Sequence, residues 1–147
     1  MHLAGVGLMA LATICPTLAA AADGDFIPGQ ERQIVYYSIW GGCIGEAHTP
    51  LCALDTLFSC MVRGDREMCT TVGAYVATDC RITGVRYVVD AVMQTETAAR
   101  MTFRARACSD DAPCHAPSEV QTEDLERTEG RWRFRSAPHI HAQACRP

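Results

Sequence analysis

Nine cysteines, five histidines and a set of acidic and tyrosyl side chains are what this 147-residue chain offers for chemistry. A structural zinc site wants closely paired Cys-x-x-Cys knuckles, and the sequence has none. It also lacks a Gly-x-Ser-x-Gly elbow, so a serine nucleophile is not indicated. His139-Ile140-His141 would put two imidazoles on one side of an extended segment, and Cys145 or His115 could add a third ligand for copper or zinc. Two histidines near the end of the sequence read more readily as surface residues, and no cofactor is expected. Acid–base catalysis needs an ionisable group held in an apolar pocket. Asp55, at the edge of an apolar helical stripe, and Tyr87, on the apolar side of a strand, are the two candidates. Stripe-edge carboxylates usually reach water, so Asp55 is expected at the surface. Asp90 and Asp124 fall opposite arginines and read as solvated cross-strand pairs. The row Arg131, Arg133 and Arg135 could meet an anion, but Asp124 and Glu126 opposite it predict a neutralised ladder.

The elements that must position these residues begin with Thr49 to Val72. Thr49 is a good N-cap and Pro50 suits the first helical position. Projected at ~100° per residue, Leu51, Leu54, Leu57, Phe58, Met61 and Val62 share an arc of about 140°. Gly64 supplies a left-handed stop, and Asp65 caps a second helix starting Arg66-Glu67-Met68. Cys52 and Cys60 lie off the stripe and are expected to face something other than the core. Upstream, Gln30 to Trp40 is ambiguous. Ile34-Val35-Tyr36-Tyr37 has strand-like composition, yet Val35/Ile39 and Tyr36/Trp40 are i,i+4 pairs, and Pro28-Gly29 with Glu31 looks like a helix start. The reading adopted there is helix.

From Val85 the apolar period becomes two. Val85, Tyr87, Val89, Ala91 and Met93 share one face, as do Met101, Phe103, Ala105 and Ala107 in the next run. Pairing Met93 with Met101 aligns both faces and sets Asp90 opposite Arg104. A last hairpin turning at Glu129-Gly130 pairs Leu125 with Phe134, Arg127 with Trp132, Glu126 with Arg133 and Asp124 with Arg135. Tyr87 is the one titratable side chain among all these inward positions.

Met1 to Ala22 carries an apolar run, Leu3 to Leu18, followed by alanines, which is the shape of a secretory signal peptide. Met1-His2 lacks the usual basic residue. The expectation is a signal peptide over 1–22 and one mature domain over 23–147, periplasmic or secreted, with no membrane span after cleavage. The thirteen basic residues are all arginine, which points to a GC-rich bacterial genome. A net charge of −4 argues against nucleic acid as the main partner.

Setting Cys15 aside leaves Cys43, Cys52, Cys60, Cys69, Cys80, Cys108, Cys114 and Cys145, an even set that reads as a disulfide framework. On the order of 100 full pairings are possible. Cys52 and Cys60 sit about 12 Å apart along one helix and cannot bond each other. Economy then favours Cys43–Cys52, Cys60–Cys69 and Cys108–Cys114, leaving Cys80–Cys145 to tie the tail to the connector before the sheet.

Leu51-Cys-Ala-Leu-Asp-Thr-Leu-Phe-Ser-Cys-Met-Val-Arg-Gly-Asp65, a short helix, and strands closing in Leu125-Glu-Arg-Thr-Glu-Gly-Arg-Trp-Arg-Phe134 together resemble the nuclear transport factor 2-like (cystatin-like) superfamily. The likeness spans roughly Gln30 to Ser136. It implies an α+β fold whose N-terminal helices pack into the concave face of a curved antiparallel sheet, here stapled by disulfides. Relatives resembling ketosteroid isomerase carry an Asp and a Tyr inside that cone, which makes Tyr87 and Asp55 the catalytic candidates. Tyr87, Val89, Met93, Met101, Phe103, Trp132 and Phe134 become the candidate cavity lining. Two functions are in view. One is a non-catalytic exported module that binds an envelope protein or a small apolar ligand through the cavity or the face around Tyr36, Tyr37 and Trp40. The other is a small acid–base lyase or isomerase acting in the same cavity. A homodimer is compatible with either.

Overall fold

A computed structural model describes residues 27–38, 43–74, 81–110, 114–117, 119–136 and 138. The fold is α+β. Five strands form one antiparallel sheet in the order of the chain: β1 (Glu31–Val35), β2 (Ile82–Gln94), β3 (Ala98–Ser109), β4 (Val120–Thr128) and β5 (Arg131–Phe134). Two helices, α1 (Pro50–Arg63) and α2 (Arg66–Thr71), are inserted between β1 and β2.

The helical corner follows from local chemistry. Thr49 Oγ1 accepts the Cys52 amide at 3.1 Å, satisfying one of the donors that a helix start leaves over. At the other end Gly64 is left-handed (φ 67°), and the Asp65 amide reaches back to the Cys60 carbonyl at 3.0 Å. The Asp65 side chain turns to cap α2, accepting the Met68 amide at 3.0 Å. The surroundings of α1 differ from expectation, because every residue from Pro50 to Val62 is buried. Cys52 and Cys60 are both 0% exposed rather than turned away from the interior. The reason is covalent. Cys43–Cys52 pulls the preceding loop over one flank of the helix, and Cys60–Cys69 pulls α2 over another. These two bonds and Cys108–Cys114 are the pairings that spacing favoured. Cys80 and Cys145 lie outside the described residues.

The stretch read as a helix over Gln30 to Trp40 holds a strand instead. Gly29 (φ 80°) turns the chain and donates to the Val89 carbonyl at 2.9 Å, and β1 then pairs with β2. Pairing to a strand about fifty residues away outweighs two local i,i+4 contacts. Arg32 lies beside Tyr87 and Ile34 beside Val85, so both point inward.

The register of β2 on β3 also departs from the expected one. Val89 faces Phe103, but Ala91 faces Thr102, so Asp90 is the extra residue of a β-bulge. Beyond it every side chain of β2 changes face. Val92 meets Met101 and is half-buried, whereas Ala91 is exposed and Met93, opposite Arg100, is 62% exposed. With a second irregularity between Ile82 and Gly84, the bulge bends the sheet, which curls into a half-barrel. The last hairpin keeps the expected pairs, through a turn in which Glu129 (φ 52°) and Gly130 (φ 80°) are both left-handed.

One continuous core joins Leu54, Leu57 and Phe58 of α1 to Ile34, Val85, Tyr87, Phe103, Leu125 and Trp132 of the sheet. The β5 edge of the sheet is closed by backbone bonds, from the Trp132 amide to Ala47 O (2.8 Å) and from the Phe134 amide to Val72 O (2.9 Å). No described helix is long and apolar enough to cross a membrane.

Candidate functional site

The two acid–base candidates meet. Helix α1 carries Asp55 on its second turn, and β2 carries Tyr87 on the face that α1 covers. The Tyr87 hydroxyl donates to Asp55 Oδ1. Arg32 reaches in from β1, with Nη2 3.9 Å from Asp55 Oδ2. The surroundings are apolar and aromatic. The Phe58 ring lies 4.8 Å from that of Tyr87 and 6.1 Å from that of Phe103.

Asp55 is therefore not at the surface, as its position at the stripe edge suggested, but 1% exposed. A carboxylate at that depth requires compensation, and it receives a hydroxyl donor and a guanidinium. Burial first, then the Asp55 charge and the bond to it, hold the Tyr87 phenol well above its ordinary range, while Arg32 acts the other way. Tyr87 therefore stays protonated and serves as donor. Such a pair has the chemical parts of a general base with a hydroxyl beside it. What it lacks is an approach. Tyr87 is 0% and Asp55 1% exposed, so in this conformation neither presents an atom to a substrate.

Arg32 escaped the sequence reading because a helix over that segment gives it no inward face. The signal was there in the two-residue spacing of Arg32 and Ile34 within a segment of strand-like composition.

Six of the seven expected lining residues are core. Tyr87, Val89, Met101, Phe103, Trp132 and Phe134 are each at most 4% exposed. Met93 is separated from them by the bulge and lines a shallow pocket of about 310 Å³ with Gln94, Thr95, Ala98, Arg100 and Asp124.

Asp90 and Asp124 stand on the outer face, as expected. Arg104 donates to Asp90 at 2.8 and 3.0 Å, and this hydrogen bonding holds its carboxyl below the usual range against the opposing effect of desolvation. Asp124 takes Arg100 (2.7 Å) as its partner rather than Arg135, and Arg135 pairs with Glu126 at 3.6 Å. In place of the expected ladder, Asp124 thus pairs with Arg100 directly opposite it on β3, and Glu126 pairs with Arg135 diagonally across the last hairpin. Arg131 and Arg133 have no carboxylate within ion-pair distance among the described residues.

His139, His141, Trp40 and Cys145 lie outside the described residues. Among the described ones no three or more metal-ligating side chains come together. The large apolar side chains left in solvent include Val35 (39%), Tyr36 (56%) and Tyr37 (85%), where β1 ends. The two tyrosine rings pack edge to face with centroids 5.0 Å apart. No protein-family model matches the chain, and no curated protein or solved structure is significantly similar to it.

Proposed function

We propose that this chain is an exported, non-catalytic binding module of the nuclear transport factor 2-like kind, its helices seated in the concave face of the curled sheet. It engages a protein partner of the cell envelope through the aromatic face formed by Tyr36 and Tyr37. The observation that carries this reading is the enclosure of the acid–base pair. The two acid–base candidates are bonded to each other in the buried interface between α1 and β2, while exposed aromatic surface gathers elsewhere. Exposed tyrosines suit this role, since a rigid ring with a polar tip is a favoured anchor at protein interfaces. Three disulfides suit an oxidising compartment, in line with export.

The alternative, a lyase or isomerase using Tyr87 and Asp55, draws on the same hydrogen bond. It requires an opening to the pair that this conformation lacks. A photo-crosslinking amino acid at Tyr37, in cells exporting the protein, tests the proposal. The expected result is a discrete adduct that is absent when the probe replaces Met93. Equal labelling from both positions, together with saturable binding of an apolar ligand that Tyr87→Phe abolishes, would favour the enzyme.

A further inference from the structure

Three described disulfides hold this fold, and their surroundings differ. Cys60 and Cys69 are 0% and 3% exposed, sealed between α1 and α2. Cys108–Cys114 closes a short loop whose Cys114 carbonyl accepts Arg86 Nη1 at 2.7 Å. Cys43–Cys52 shares with Cys108–Cys114 one partly exposed and one buried end, and differs from both other bonds on two counts, a histidine at its buried sulfur and a constrained loop. Its Cys43 end is partly exposed, while Cys52 is fully buried. A histidine ring stands at the buried sulfur, with His48 Nε2 3.6 Å from Cys52 Sγ. The loop joining the two cysteines is held in a left-handed conformation at Ala47 (φ 47°), a residue with a Cβ, and is pinned there by the Trp132 amide on the Ala47 carbonyl.

We propose that Cys43–Cys52 is an exchangeable bond, attacked by an external dithiol at Cys43 and releasing Cys52 as a thiolate beside His48. The attacking sulfur needs access and the departing sulfur needs stabilisation, and the two ends of this bond divide those requirements. An imidazole at the departing sulfur stabilises the thiolate, and so does the first turn of α1, where Cys52 stands.

The exchange balances as follows. One thiolate of the dithiol bonds to Cys43 Sγ, the Cys43–Cys52 bond breaks, and its electron pair leaves on Cys52 Sγ. The second thiol of the reductant, after losing its proton, attacks its own partner sulfur in the mixed disulfide and displaces Cys43 as thiolate. The dithiol is oxidised to a disulfide by loss of two electrons and two protons, and Cys43 and Cys52 are left as two thiols. The protein then acts as a two-electron oxidant of dithiols, and Cys60–Cys69 serves as an internal reference of the same sequence separation.

Glutathione, as the thiol probe, tests this directly. The full chain is equilibrated at stepped ratios of reduced to oxidised glutathione, quenched with acid and alkylated, and each cysteine is read by peptide mass spectrometry. Cys43 and Cys52 are expected to open at a ratio at least about tenfold more oxidising than Cys60 and Cys69, with circular dichroism still native and the glutathione adduct on Cys43. His48→Gln, at an exposed position, is expected to slow exchange about tenfold without moving the unfolding midpoint of the oxidised protein. Three results each overturn the proposal: opening of Cys43–Cys52 only together with Cys60–Cys69, an adduct on Cys52, or a His48→Gln variant that exchanges like the parent. If that variant fails to fold, the order of opening and the position of the adduct in the unsubstituted chain still decide.

Discussion

Tyr87→Phe removes one oxygen from the centre of the molecule and leaves the ring that packs on Phe58. The loss is therefore confined to the hydrogen bond to Asp55. A bond to a charged acceptor is worth about 1.5–3 kcal/mol, and removing the donor leaves a carboxylate at 1% exposure with less compensation. The expected destabilisation is about 2–3 kcal/mol, or roughly 10 °C in Tm for a domain of this size. Urea unfolding with the disulfides intact, followed by far-ultraviolet circular dichroism, measures it, and the slope m should stay unchanged. A change below about 0.5 kcal/mol would refute the bond as a structural element. A gain in stability would go further, because groups kept for catalysis are commonly held at a cost to stability.

Four other outcomes are expected. The folded protein keeps the Tyr87 proton that the unfolded chain releases above about pH 10, so stability should fall with rising pH there by about 1.4 kcal/mol per unit, a slope that Tyr87→Phe abolishes; unfolding measured across that range checks it. Asp90→Asn should cost no more than ~0.2–1 kcal/mol by the same assay, since Asp90 and Arg104 are each a third exposed. Gly73→Ala should cost roughly 1–3 kcal/mol in thermal unfolding, because φ is 74° and the new Cβ would sit 2.8 Å from the Phe134 carbonyl oxygen. Thiol titration of the exported protein, denatured without reductant, should find close to zero free thiols.

The parts of the fold that local chemistry decides were legible in the sequence. Thr49, Pro50, Gly64 and Asp65 mark the ends of α1 and the start of α2, and Glu129-Gly130 marks a two-residue turn, because each acts on its own neighbours. The spacing of cysteines along one helix limited which of them could bond. What stayed hidden depends on distant segments. Whether Gln30 to Trp40 is helix or strand is decided by β2, which is far away in sequence. The bulge at Asp90 adds one residue without disturbing the alternation of Val85, Tyr87 and Val89, and shows itself only beyond that point, in the exposed Ala91 and Met93 and the half-buried Val92. The Asp90–Arg104 pair survives it because a bulged side chain can still reach its diagonal neighbour. Asp55 looked like a surface residue because the single-helix projection omits what covers its other flanks, namely β1 with Arg32 and the loop tied down by Cys43. The site was thus legible as two residue types, but not as a contact or as a depth.

Carbodiimide labelling of carboxylates in the native protein, read residue by residue by mass spectrometry, tests the enclosure of the Asp55–Tyr87 pair most directly. The account predicts that Asp90 and Asp124 label readily, while Asp55 stays unlabelled until the protein unfolds. Labelling of Asp55 in the folded state at a rate near that of Asp90 would contradict it, since the pair would then be open to solvent and to a substrate.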